Sequence, residues 1–283
     1  MRRIAITGAS GFVGAMLARR FEEAGWTVTR LSHSATGAGT VPFRLGDEVQ
    51  PEIFRIRQVT ALIHCAYDFK PISRADIHRV NVEGTRKLLG AAMAGGVDRI
   101  AVLSSISAFE GSRSVYGQAK LEIEAAAAAA GALVVRSGLV WADGPPSGGG
   151  MFGSLARSAG ASMVPLIDGG SHPQYLIHEQ DLFELLRGFC DGELKNPGKP
   201  VVAASPRPWP MRELLVELAR RQGLRPRFVP VPWQPVWAGL RLAELVHLPV
   251  PYRSDSVVSL VYQDRKPDFE SLTALGVTLR EFS

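Results

Sequence analysis

Cysteine is scarce: Cys65 and Cys190 are the only two among 283 residues. They have neither metal-ligand spacing nor the density of a disulfide framework, so the fold must be held by burial. With no recognisable signal peptide, a reducing, cytoplasmic setting is expected. Long apolar runs are also missing. No stretch approaches the ~20 residues that cross a bilayer, so no membrane association is expected from sequence. The net charge is +5, but the basic residues are scattered rather than gathered into a stripe. A nucleic-acid partner is therefore not expected. His64, His78, His172 and His178 are dispersed along the chain, and no metal site is expected.

What is present is ordinary globular material, 46% hydrophobic and 21% charged, enough for one large α/β domain or a nucleotide-binding domain with a smaller partner. Short apolar runs alternate with helical patterns. Strands are expected at 3–7, 27–31, 61–66, 100–104 and 133–140, and helices at 11–24, 77–94 and 116–130. The last of these contains six consecutive alanines and stops at Gly131. Such alternation means βαβ units and a parallel sheet. After it, DGPPSGGG (143–150) reads as a flexible crossing. The remainder is less regular, with a proline-punctuated stretch at 196–210 and a helix at 211–222. Residues 1–142 are read as a nucleotide-binding domain, rejoined near 175–190, and 143–283 as mostly a substrate-binding subdomain.

The segment TGASGFVG follows the first strand and opens the first helix, with Gly8, Gly11 and Gly14 in a GxxGxxG pattern around Ala9, Ser10, Phe12 and Val13. A tight turn and unhindered backbone let a pyrophosphate approach the helix N-terminus, where free N–H groups and the dipole favour anions. A glycine-rich turn without a ligand would look similar, but its place at the first strand of a βαβ series favours dinucleotide binding. The second strand ends in LSHS, with no carboxylate for ribose hydroxyls. Ser32, His33 and Ser34, or Arg30, could meet a 2′-phosphate, so NADP is preferred to NAD as the expected cofactor.

Tyr116 and Lys120 stand four residues apart on one face of an expected helix. Ser104 and Ser105 end the preceding strand, at the carboxyl edge where ligands bind in such sheets. A free phenol near pKa ~10 is a poor base at neutral pH. A neighbouring ammonium and a cationic nicotinamide would favour the phenolate and bring it towards the working range. A serine hydroxyl can hold a carbonyl or alcohol in line with the phenol. Arg136 would meet an anionic substrate or a core carboxylate; Trp141, Trp233 and Trp237 would line a pocket or pack the subdomain.

Five blocks in order resemble the extended short-chain dehydrogenase/reductase superfamily, in particular its NAD-dependent epimerase/dehydratase family: TGASGFVG, ALIHCA (61–66), NVEGTRKLL (81–89), VLSSISAF (102–109) and YGQAK (116–120). The resemblance implies a Rossmann-type doubly wound parallel sheet with a smaller C-terminal substrate-binding subdomain. It implies Tyr116 as acid/base, Lys120 as ribose contact and tuner of the tyrosine, and Ser105 as substrate contact. By the same resemblance Asp47, with Glu48 beside it, would meet the adenine amine. His64, Cys65 and Ala66 would pass under the nicotinamide, and Asn81 would brace the site. A small-molecule substrate and a homodimer are the family-level expectations. The chain departs from the pattern at Phe109 and Ser137, where tyrosine and proline are common, and the Ser105-to-Tyr116 interval is short. These departures point away from nucleotide-sugars. Three functions follow: simple hydride exchange with a carbonyl or alcohol, epimerisation by transient oxidation with tightly held NAD, or a non-catalytic cofactor-binding regulator.

Overall fold

The computed structural model describes residues 2–33, 37, 39–144, 149–248, 250 and 252–283; Ser34 of the LSHS segment lies outside them. In chain order the first half runs β1 (Arg3–Thr7), α1 (Phe12–Glu23), β2 (Thr27–Ser32), β3 (Thr40–Pro42), α2 (Glu52–Ile56), β4 (Ala61–His64), α3 (Arg74–Ile77), a π-helical segment (His78–Glu83), α4 (Gly84–Ala94), β5 (Arg99–Ser105), α5 (Val115–Ala129) and β6 (Leu133–Ser137). The second half runs β7 (Leu139–Trp141), α6 (Gly150–Ala159), β8 (Met163–Ile167), β9 (Pro173–Gln174), β10 (Leu176–His178), α7 (Glu179–Asp191), β11 (Val201–Ala203), β12 (Trp209–Pro210), α8 (Met211–Arg221), β13 (Arg227–Val231), α9 (Trp233–Leu245), α10 (Ser254–Val261) and α11 (Glu270–Ala274).

Seven strands form one parallel sheet in the order β11-β6-β5-β4-β1-β2-β3. The chain starts in the middle and winds outward in both directions, so the strand order reverses between β1 and β4. A crevice opens there beyond the carboxyl ends. Both sheet faces are buried, which is why the strands read as continuous apolar runs rather than alternating ones. One face packs against α1 and α7 through Leu17, Phe21 and Phe183, and the other against α4 and α5 through Leu88 and Ile123. A third core gathers Trp141, Leu166, Leu214, Leu218 and Phe282 in the later part of the chain.

Two expected elements differ. The helix expected from 77 begins at Arg74, capped by Ser73, whose hydroxyl accepts from the Asp76 N–H, and passes through a π-helical turn before α4. The expected 133–140 strand is two strands. A Cβ on Gly138 would lie 2.4 Å from the Tyr175 carbonyl oxygen, and this close approach marks where the chain leaves β11 and pairs with β10 instead. Trp141 packs in the third core beside His178 and Phe282 rather than in a pocket wall.

Candidate active site

Gly8 sits at φ +65°, and a Cβ on Gly14 would lie 2.2 Å from the Gly8 carbonyl oxygen. Only glycine permits this turn and this packing of α1 against it. The first turn of α1 contains no acidic residue, and Gly11 at its cap offers no side-chain acceptor. The positive end of the helix thus faces a cavity of about 2010 Å³, lined there by Gly8, Ser10, Gly11, Phe12, Val13 and Gly14, with Ala9 buried behind. The cavity exceeds the ~300–1,000 Å³ of a typical small-ligand site and has room for a dinucleotide and a substrate together.

Ser32 and His33 line the same cavity at the end of β2. Arg30 does not turn towards it: its guanidinium is bound to Glu22 at 2.5 and 2.6 Å. Arg44, which sequence reading passed over, lines the wall instead. Its signal was present but unspecific, a lone arginine just before LGDE. Asp47 and Glu48 are exposed and are not part of the wall, and Glu48 pairs with Lys87.

Beneath the crevice runs a buried hydrogen-bond chain. Thr7 Oγ1 accepts from the Cys65 and Ala66 N–H groups at 3.1 and 3.2 Å and meets His64 Nδ1 at 2.7 Å. His64 Nε2 lies 2.9 Å from Thr85 Oγ1, which donates to the Asn81 carbonyl. Since the Thr85 proton is committed, His64 must donate from Nε2 and accept at Nδ1 from Thr7. Burial, aided by the charge of Lys120, lowers His64 to about 3, so this neutral tautomer persists. Asn81, presented by the π-helical turn, accepts from the Asp68 N–H and donates to its carbonyl. The chain therefore fixes Cys65 and Ala66, which line the cavity, and anchors the loop carrying Tyr67 and Phe69. Thr7 and Thr85 could not be singled out in advance, because a threonine in a strand or helix has no distinguishing pattern.

Ser105, Tyr116 and Lys120 all line the cavity. Lys120 is buried and donates from Nζ to the Leu103 carbonyl at 2.9 Å, with Nζ 5.0 Å from the Tyr67 ring centre. Burial lowers it to about 8, against the opposing pull of Cys65 and Glu124. Tyr116 lies against Tyr67 and Phe69, with ring centres 5.0 and 5.7 Å away. The expected lowering includes a bound nicotinamide; the protein alone acts in the other direction. Burial among these rings pushes the phenol up to about 12, and the hydrogen bond from Ser105 only partly offsets this. The protein alone holds Tyr116 in its protonated form.

Two further groups support the helix bearing this pair. Asp255 of α10 accepts from the Val115 and Tyr116 N–H groups at 2.8 and 2.9 Å, satisfying two orphan donors of α5. Glu124, one turn beyond Lys120, is clasped by Arg136 and accepts from Ser104, so both Arg136 and the Ser104 hydroxyl are committed to a buried carboxylate. Trp237 lines the cavity, whereas Trp233 instead packs edge-on to Tyr262.

Residues 4–133 match the model of the NAD dependent epimerase/dehydratase family. A ceramide reductase of Caulobacter vibrioides is 32% identical over 196 residues, 66% of this chain and 60% of that protein. A putative dihydroflavonol 4-reductase of Synechocystis is 31% identical over 111 residues, 36% of this chain and 32% of that one. The chain thus matches less than two thirds of either relative's length. The fold is shared with MoeE5 in complex with UDP-glucuronic acid and NAD, at TM-score 0.73 and 18% identity over 99% of this chain and 94% of that one. It is also shared with a UDP-glucose 4-epimerase of Thermotoga maritima, at TM-score 0.68 and 18% identity over 96% and 99%.

The low affinity of Lys120 for its proton leads to a stability prediction. Lowered to about 8 from an ordinary ~10.4, it makes the folded chain bind fewer protons than the unfolded chain between those values, so its stability contribution rises with pH there. Lys120→Met is expected to be more stable than the wild type at pH 7 by about 1–2 kcal/mol. That advantage should shrink as the pH passes 8, as read by urea unfolding across the range. With this geometry and these matches together, the chain carries, over residues 4–133, a domain of the NAD dependent epimerase/dehydratase family.

Proposed function

We propose that the protein is an NAD(P)-dependent oxidoreductase acting on a carbonyl/alcohol carbon of a largely apolar substrate, with Tyr116 as its acid/base. The observation that carries this reading is the meeting of Ser105, Tyr116 and Lys120 in one cavity, which is also lined by apolar side chains such as Leu155, Leu166, Leu215 and Leu240. The glycine turn at Gly8–Gly14, with Ser32, His33, Arg44, Cys65 and Ala66, would hold the dinucleotide; Lys120 would reach its ribose. When bound, that cofactor supplies or takes the hydride.

The remaining work falls to the chain. Ser105 holds the substrate oxygen beside the phenol. Tyr116, kept protonated by burial, gives its proton to the carbonyl oxygen in the reducing direction. Lys120 sits where its ammonium can stabilise the phenolate left behind, which takes a proton back from solvent to complete the cycle. A basic, carboxylate-free wall at His33 and Arg44 supports NADP over NAD. The second reading, epimerisation or dehydration of a nucleotide-sugar, is supported by the family model and by likeness of fold. The apolar lining favours the reductase, in keeping with the Caulobacter relative being a ceramide reductase.

Two outcomes test this. Tyr116→Phe should reduce NADPH-dependent turnover of hydrophobic ketones or aldehydes by about 100-fold or more, with NADPH affinity nearly unchanged. Turnover indifferent to the change would overturn Tyr116 as acid/base, and NADPH binding with no turnover in the wild type would favour the non-catalytic binder. Arg44→Ala should weaken NADPH binding about tenfold and leave NADH binding nearly unaltered; equal losses for both would remove the case for NADP.

A further inference from the structure

α10 lies well beyond the residues matched by the family model, yet it and the residue that ends it touch the interval from Ser105 to Tyr116 at three places. Asp255 accepts from the Val115 and Tyr116 N–H groups at 2.8 and 2.9 Å. Ser259 donates from its hydroxyl to Ser107 Oγ at 3.0 Å. At the end of the helix, the Arg113 guanidinium stands 4.2 Å from the ring centre of Tyr262. Positions 255, 259 and 262 follow spacings of four and three, so one face of α10 makes all three contacts. That face is itself anchored: Ser254 donates from its N–H and its hydroxyl to the buried Glu244 of α9 at 2.8 Å each.

Two of these contacts bear on the groups that meet the substrate oxygen in the proposed reaction. Ser105 Oγ accepts from the Ser107 N–H at 3.1 Å, and its own proton goes to the Tyr116 phenol. The Ser107 N–H therefore sets which way the Ser105 hydroxyl points, and the Ser107 side chain is tied to α10 through Ser259. On the other side, α5 caps only part of itself. The Ser114 hydroxyl accepts from the Gly117 N–H, which leaves the Val115 and Tyr116 N–H groups to find an acceptor elsewhere. Helix formation does not require Asp255, because α5 is 15 residues long, rich in alanine and already capped by Ser114. What Asp255 adds is a fixed place for the residue that bears the phenol.

We propose that Asp255 and Ser259 are positioning residues, holding Tyr116 through its N–H and Ser105 through Ser107 at the separation that proton transfer needs. Their effect on the rate rests on the oxidoreductase reading; the clamp on residues 105–116 does not. Neither residue gives or takes the proton. Proton transfer works over heavy-atom distances of about 2.6–3.2 Å, and a displacement of about 1 Å can cost a hundredfold in rate. A single helix that grips both partners keeps that distance fixed, because any movement of α10 carries the serine and the tyrosine together.

The test compares Asp255→Ala, Asp255→Asn, Ser259→Ala and Ser259→Thr with the wild type in NADPH-dependent reduction of hydrophobic aldehydes. Asp255→Ala should lower kcat at least about tenfold and Ser259→Ala about fivefold, with KM and NADPH affinity nearly unchanged. Asp255→Asn keeps a carbonyl acceptor and Ser259→Thr keeps the hydroxyl, so each should recover most of the lost rate. Amide exchange over residues 105–120 should quicken in both alanine variants and stay unaltered in β4 and β6. Unchanged kcat in both alanine variants overturns the proposal. So does a loss that the conservative variants do not recover, or one matched by losses of NADPH affinity and melting temperature, since α10 would then serve packing alone. A wild-type protein that binds NADPH and reduces no carbonyl compound removes the oxidoreductase reading instead. Faster exchange over 105–120 in the alanine variants would then still support the clamp, and unchanged exchange would overturn it.

Discussion

A buried ammonium organises this protein. Lys120 is carried into the carboxyl edge of the sheet by α5 and held by the Leu103 carbonyl at 2.9 Å. Its surroundings are arranged around that charge. His64 stays neutral behind it, two tyrosine rings face it, and Glu124 lies one turn away with its own charge answered by Arg136. Removing Arg136 would leave the Glu124 charge in low dielectric without its partner, which costs far more than a surface pair. In the proposed reaction the same ammonium would stabilise the negative charge left on Tyr116.

The later part of the chain is tied into this arrangement. Asp255 closes the N-terminus of α5 at the residue preceding Tyr116 and at Tyr116 itself. Arg253 donates to the Phe69 and Pro71 carbonyls, and Glu244 holds Arg253 and Ser254 in turn. The loop carrying Phe69 is thus gripped from below by Asn81 and from the side by Arg253. Elements distant in sequence hold the phenol and its ring neighbours in one geometry, so the loop carrying Phe69 and the helix carrying Tyr116 are mechanically continuous.

Much of this was legible in the sequence, and the reasons differ by residue. The βαβ rhythm, the glycine turn and the Tyr116–Lys120 spacing are local patterns, and local patterns report the helices and strands that make them. Gly138 read as an interior strand residue because only the Tyr175 carbonyl opposite shows why a side chain is excluded there. Arg30 and Arg136 were open because an arginine's partner is chosen by tertiary structure; both turned out to be claimed by glutamates. The direction of the Tyr116 shift could not be read from spacing either. Spacing brings the ammonium near, but the rings of Tyr67 and Phe69, which bury the phenol, come from the loop after β4. Thr7, Thr85 and Asp255 lay hidden for the same reason, each an ordinary residue until its distant partner is in place.

The measurement that bears most directly on the central claim is a calorimetric titration of NADPH into the wild-type protein, after checking by absorbance for nucleotide retained through purification. One saturable site per chain, binding NADPH more tightly than NADH, is the expected result. An empty protein that gives no binding heat with either nucleotide, and no displacement of one by the other, would contradict it.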